Sequence, residues 1–398
     1  LKIFFYPCQY GYKFRAYWDG EEDQKSPTLE ILNNKKLLIM KSLLLIFLLL
    51  FVETVPGTIL DEKDLKVTSY NKKKQHQKSP KKVFIRSYKA LFEVFEEASA
   101  KTSGSKKERA NRTTFTSGTS TRMGVQISGV DVADFQKIID QSYQDFVNQL
   151  TSQGFEIMTA DEASQSEYFE GWTLMKGGAS SDDQAAGFVM VTPTGFDYLV
   201  KGVAKSGREK GTFLDMGPKI SKELGDVYVA DVNFIFPFVT LDADASMWTN
   251  TSSVKAKIGY RIEPIMNTSQ ENKQTSLTGF AKGLGSMGSS EVISSQVRFL
   301  SGNDIGNNPF FDAKVELKKA VYFEDVFEDK KIKEVTQAQS DMFSKTGYTQ
   351  LVMVSGDQKT VASHFAECDT ERYVSSASGA MKDMIDAGIS NFVEMTKD

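Results

Sequence analysis

The segment VYVADVNFIFPFVTL, residues 227–241, constrains the fold more than any other stretch of this chain. Tyr228, Ala230, Val232, Phe234, Phe236 and Phe238 recur at every second position, with Asp231 and Asn233 between them. Strand side chains alternate between faces, so this spacing predicts a β-strand with one apolar face. SVKAKIGYRI, residues 253–262, repeats the pattern. Val254, Ala256, Ile258, Tyr260 and Ile262 are expected inward, and Lys255, Lys257 and Arg261 outward. Two such segments predict antiparallel strands with one wet face.

A helix must then cover the apolar face. After Asp131, suited to accept hydrogen bonds from the first free helix amides, Phe135, Ile138, Ile139, Phe146, Val147 and Leu150 fall on one helical face. Gly154 can take the left-handed stop, and FEIM, residues 155–158, reads as a short strand directly after it. A weaker helix is expected near Asp161, and PKISKELG, residues 218–225, reads as a short helix opened by Pro218 and closed by Gly225. SASGAMKDMIDAGISNFVEM, residues 376–395, is an amphipathic helix with Met381, Met384, Ile385 and Phe392 inward. Further strands are expected in GFVMVTP (187–193), EVISSQVRFL (291–300), AKVELKKAVYF (313–323) and TQLVMVSG (349–356), and in KKVFIRSYKALFEVF (81–95), where Phe84, Tyr88, Leu91 and Phe95 also repeat at helical spacing but the β-branched and aromatic content favours a strand. The Ser/Thr/Gly-rich run 99–121 reads as a mobile surface loop, and 275–290 as a Gly/Ser linker. The fold class is therefore α/β (α+β): a mixed, largely antiparallel sheet with amphipathic helices packed on it. Residues 81–398 are expected as one domain, with a sub-boundary near 265–290.

Hydrophobic residues make up 40% of the chain, 28 Phe and 14 Tyr among them, which excludes disorder as the main state. The apolar run Leu43–Val52, led by Lys41, is too short to span a bilayer and fits a secretory signal core. Residues 40–57 are thus expected to be a signal peptide cut before Thr58. Residues 1–39 are expected to be an over-extended reading frame ahead of Met40. The alternative is a single-pass anchor through 37–52. With Cys8 in the leader, Cys368 alone remains and no internal disulfide is expected.

Charge is uneven. Residues 58–127 carry 16 Lys+Arg against 7 Asp+Glu, and 128–398 carry 25 against 39. The basic run 71–82 holds Lys72, Lys73, Lys74, Lys81 and Lys82, the candidate contacts to an anionic surface. It has no interleaved aromatics, so nucleic acid is disfavoured and 58–80 reads first as a solvated polar linker.

Catalytic signatures are sparse. The chain has two histidines, His76 in the lysine run and His364 in TVASHFAEC. A triad or zinc site would rest on His364; four residues from Cys368, it could share a helix face with it, but a two-ligand site lacks a third partner nearby, and His364 is expected to be structural. GLGSMG, residues 283–288, matches a phosphate-binding glycine pattern but precedes a strand rather than a helix. LDADAS and SGNDIGNNP offer Asp242, Asp244 and Asp304 as calcium candidates, without the ordered loop such sites need. Turn chemistry accounts for both, so neither a metal nor a cofactor is expected.

In layout, the signal block, the strand KVFIRSYKALFEVF, a long loop, the helix DFQKIIDQSYQDFVNQLTSQG and the strand FEIM resemble the α/β module of bacterial envelope proteins of the TolB N-terminal and curli-secretion lipoprotein type. The resemblance covers roughly residues 81–240 and rests on element order. The lipidated cysteine of the curli protein is missing here. The likeness implies an envelope-associated, non-catalytic role. The leading expectation is accordingly a secreted or periplasmic binding or assembly protein, more a non-enzyme than an enzyme, with an envelope protein or acidic surface as partner. The alternatives are a secreted carboxylate-dependent hydrolase acting on glycans, and a lipid or nucleic-acid binder acting through residues 71–82.

Overall fold

Strand Tyr228–Phe236 is buried along its whole length, and the other elements are arranged around it. The computed structural model describes residues 58–72, 74, 77–101, 105–109, 112–116, 120–210, 215–246, 251–267, 292–303, 307–328, 333–338, 351–354, 358–361 and 364–397, together with Lys2–Ile3 and Ala16–Tyr17. The chain divides into two compact units, Leu1–Val55 and Pro56–Asp398. In the first, Lys2–Ile3 pairs antiparallel with Ala16–Tyr17. The expected signal block and the linker 275–290 lie outside the described residues.

In the second unit the elements begin with β1 (Leu65–Asn71), β2 (Lys82–Glu93), β3 (Phe95–Lys101), β4 (Ser120–Ser128), α1 (Val132–Ser152), β5 (Glu156–Met158) and β6 (Phe188–Val191). They continue with α2 (Gly217–Glu223), β7 (Tyr228–Phe236), β8 (Val239–Ser246), β9 (Thr251–Ile258), β10 (Gln296–Ser301) and β11 (Phe311–Leu317). The last are β12 (Lys333–Ala338), β13 (His364–Glu367) and α3 (Thr370–Lys397).

A seven-stranded sheet runs β6–β2–β7–β10–β11–β1, with β5 also pairing β2. The β2–β7 and β2–β5 pairs are parallel, and the others antiparallel. The expected fold class therefore holds. One expectation does not: β7 lies between two strands and has both faces covered, so Asp231 and Asn233 are buried rather than wet. Alternation identified the two faces of β7, but neighbouring strands and layers set their exposure.

Helices α1 and α3 lie side by side on one face of this sheet. Asp131 Oδ1 accepts hydrogen bonds from the Ala133 and Asp134 amides at 2.8 and 3.2 Å, and the Asp134 carboxylate accepts from the Asp131 amide. This reciprocal cap satisfies donors that the first helical turn leaves open. Phe135, Ile138, Ile139, Phe146 and Leu150 are buried, and Gly154 takes φ +82° at the stop. Each such side chain contributes about 1.5–3 kcal/mol of burial. In α3, Met381, Met384, Ile385 and Phe392 are buried as expected, although the helix begins earlier, at Thr370. Gly388 lets α3 approach β10 closely, since a Cβ there would meet Val297 Cγ1 at 2.4 Å.

β2 and β7 each continue past the sheet, β2 through Val94 into β3 and β7 through Pro237 and Phe238 into β8. Proline lacks the amide donor of a ladder and ends β7. The extensions build a second pair of small sheets, β13–β4–β3 and β8–β9–β12. Ala100, Met123 and Val125 share a core with Leu241, Val254 and Ala256 across them.

Three further readings are corrected. The 99–121 stretch is not a loop: it contains the end of β3, an antiparallel hairpin of Ser105–Arg109 with Arg112–Thr116, and the start of β4. Its threonines suit strands as well as turns. Residues 58–80, read as a linker, supply β1, because the alternating Leu65, Val67 and Ser69 find Leu317, Val315 and Ala313 opposite them. His364 and Cys368 share no helix: His364 opens β13, parallel to β4, and the buried Cys368 follows that strand.

Candidate functional site

The sheet face away from α1 and α3 carries two apolar patches and a polar strip between them. One patch gathers Phe84, Met158, Phe169, Ile220, Val229 and Leu300, and the other Leu91, Met190, Ile235 and Ile293. Between them lie Arg86, Ser87 and Lys89 of β2, Asp231 and Asn233 of β7, Gln296 and Arg298 of β10, Lys314 and Glu316 of β11, and Lys66 and Thr68 of β1.

A register shift places Arg86 on this face. Ile85 pairs with Ala230 and Ser87 with Asp231, leaving Arg86 as the extra residue of a bulge, and bulges re-aim side chains. The guanidinium donates to Asp231 through Nε, 2.7 Å, and through Nη2, and to Asp215 Oδ1 through Nη1 at 3.1 Å. Arg298 donates from Nη1 to Asp215 Oδ2 at 2.6 Å, and from Nε and Nη2 to Asp312 at 2.9 and 2.7 Å. Asp215 thus bridges two arginines, and the Gly217 amide donates to it at 2.9 Å. Glu316 ties Lys66 at 2.7 Å and Lys314 at 2.6 Å.

These pairs set protonation. Burial alone would raise Asp215, but Arg86 and Arg298 outweigh it and hold its carboxyl at about 2. Burial disfavours the Arg86 cation, yet Asp231 and Asp215 push its pKa up, as Asp312 and Asp215 do for Arg298 after the same burial penalty. Asp231, Arg86, Asp215, Arg298 and Asp312 form one continuous chain of ion pairs, within which Arg86, Asp215 and Arg298 are each held in the charged form. Such a chain can order a polar ligand or a protein surface by charge-assisted hydrogen bonding.

A second polar centre sits where the two layers part. Glu93 ends β2, is buried, and accepts from the Phe238 and Val239 amides through Oε2 at 2.8 and 3.1 Å. Arg261 is buried there too, donating to Val239 O at 3.3 Å and to Glu263 Oε1 at 2.6 Å. The outward position expected for Arg261 is overturned: its guanidinium turns onto the Val239 and Gly259 carbonyls and lies over the Tyr322 ring at 5.6 Å. Burial raises the Glu93 pKa well above 4.5. A hydrogen bond and the charge of Glu96 add to this, and Arg261 and the Phe238 amide oppose it.

Glu93 then governs a pH dependence. The folded chain holds this proton where the unfolded chain, near 4.5, has released it. The resulting stabilisation is full below 4.5 and is lost as pH rises towards the folded pKa. Glu93→Gln keeps an acceptor for the two amides and cannot ionise. Its melting temperature relative to wild type is expected to rise steadily from pH 4.5 towards neutral. A difference that stays constant across that range would refute the assignment.

The candidates read from sequence lie elsewhere. Asp242 and Asp244 are exposed on β8, opposite Lys255 and Ser253, and Asp304 lies outside the described residues. Among the described residues no group of three or more His, Cys, Asp or Glu is placed to hold a metal. Lys74 and Lys81 are exposed, Lys72 is half-buried, and Lys73 lies outside the described residues. Lys82 is engaged by Glu156 at 3.0 Å and Glu162 at 2.5 Å. The GLGSMG stretch is outside the described residues. Sequence reading missed Arg86, Asp215, Arg298 and Asp312. The signal was present as single charges inside apolar strands, Arg86 in KVFIRSY and Arg298 in QVRFL. Their mutual pairing depends on strand order.

No protein-family model matches the chain, and neither a curated protein nor a solved structure shows a significant likeness to it.

Proposed function

We propose that this chain is an exported, envelope-associated protein that binds or assembles through the polar strip, without catalysis. The observation that carries this reading is the chain of ion pairs from Asp231 to Asp312, aligned across the sheet. Such groups recognise polar surfaces, whereas acid–base catalysis wants a group that titrates near the working pH. The apolar run Leu43–Val52 supports export, and the element order of the envelope α/β modules supports the same direction. Among the described residues no helix is long and apolar enough to cross a membrane.

Expressed from Met40, the chain is expected in the exported fraction with an intact mass starting near Thr58. That product is expected to bind isolated cell envelopes saturably. Lys89 and Gln296, both half-buried, flank the buried Asn233 in the strip. Replacing both by Ala is expected to weaken binding several-fold without moving thermal unfolding. An uncut product held in the cytoplasm, or a hydrolase activity abolished by one substitution, would overturn the proposal.

A further inference from the structure

The edge strand β1 points to a partner. It ends the strand order of the large sheet, and Lys66–Tyr70 are exposed, with Val67 at 55% and Tyr70 at 46%. The phase of its ladder can be read from its ends. The Lys72 amide donates to Phe310 O at 2.8 Å, and the Lys318 amide to Asp64 O at 2.9 Å. Antiparallel ladders alternate between residues that bond to the neighbour and residues that bond away from it. With Lys66 opposite Glu316, Thr68 opposite Lys314 and Tyr70 opposite Asp312, these three residues bond inward to β11. The backbone groups of Val67, Ser69 and Asn71, and the Leu65 carbonyl, face away from the sheet. The Leu65 amide is used by Glu62 O.

We infer that two copies of this chain pair through β1, antiparallel, about a two-fold axis at Thr68. The outward residues are placed symmetrically around Thr68, so the axis sets Val67 against Ser69 of the second copy and Leu65 against Asn71. About six backbone hydrogen bonds then close between the copies. Charge and side-chain pairing favour a second copy as the occupant. β1 carries one charge, Lys66, and the axis places it opposite a tyrosine, Tyr70, beside which Asp312 lies on β11. Thr68 meets Thr68, a favourable cross-strand pair, and no like charges oppose. The arrangement is isologous and closes after two copies. It buries Val67 and Tyr70 and joins the two polar strips end to end, since Lys66 and Thr68 belong to both. It goes beyond the envelope reading and holds or fails whether or not the chain is exported.

Sedimentation of the full chain over a wide concentration range tests this. A reversible monomer–dimer equilibrium is expected. Val67→Pro removes an outward donor, which an edge strand tolerates; it is expected to weaken dimerisation at least about tenfold while the melting temperature of the monomer stays unchanged. In a Cys8→Ser background, Thr68→Cys is expected to form an intermolecular disulfide, because a non-hydrogen-bonded antiparallel pair brings the Cα atoms within disulfide range. A monomer at every concentration would overturn the inference. So would a dimer that survives Val67→Pro and leaves Thr68→Cys uncross-linked.

Discussion

Phe92→Ala is expected to lower the unfolding free energy by about 3–5 kcal/mol, read by urea denaturation. Phe92 is fully buried on the helix-facing side of β2. Its ring stacks on Phe135 of α1 at 4.5 Å and on Phe236 of β7 at 5.2 Å, and lies 6.4 Å from Tyr373 of α3. Truncation removes apolar area and also the aromatic geometry, worth about 0.5–1.5 kcal/mol per pair. The three partner rings sit on different elements, each held by its own packing, so the cavity cannot easily close. Phe92→Leu, which keeps most of the volume, is expected to recover much of the loss. If Phe92→Ala costs less than about 1.5 kcal/mol, the site collapses freely, and the junction of α1, α3 and the sheet is looser than these stacks imply.

Asp231→Ala is the second large effect, expected at about 3 kcal/mol. The Asp231 side chain is 4% exposed and that of Arg86 23%, so removing the carboxylate leaves a largely desolvated guanidinium with Asp215 as its remaining partner. The penalty comes from the stranded cation more than from the lost attraction. Arg86→Met combined with Asp231→Leu removes both charges and fills the space. That pair is expected to be markedly more stable than Asp231→Ala alone. If the double variant is no better than the single one, desolvation is not the origin of the loss, and the pair contributes through its hydrogen bonds across the bulge. Salt is expected to change these differences little, because screening acts weakly on buried pairs.

Both substitutions fall where sequence reading was partial. Alternation in 227–241 placed Tyr228, Ala230, Val232, Phe234 and Phe236 on one face and Asp231 and Asn233 on the other, and the structure agrees. It also suggested that Asp231 and Asn233 met water, whereas both are buried under side chains of β2, Arg86 bonding to Asp231 and Ser87 to Asn233. The cap at Asp131, the stop at Gly154, the short strand after it and the inner face of the final helix were legible because each depends on residues close in sequence. Arg261 was misread as outward and 99–121 as a loop. Arg261 is buried by groups from other segments, the Val239 carbonyl and the Tyr322 ring, whereas the strands in 99–121 pair with near neighbours in sequence, and the Ser/Thr/Gly content there was read as turn rather than strand.

The sequence by itself determined the local periods: which residues share a strand face, where α1 begins and ends, and which side of α3 turns inward. Those follow from backbone geometry and from donors and acceptors a few residues apart. Only the tertiary structure decided that β2 and β7 run parallel, that 65–71 closes the edge of the sheet, and that Arg86, Asp215, Arg298 and Asp312 form one chain of ions. Strand order and the bulge at Arg86 bring those four together from positions spread over more than half the chain. A charge in a strand announces its face, but its partner is chosen by which strand lies beside it.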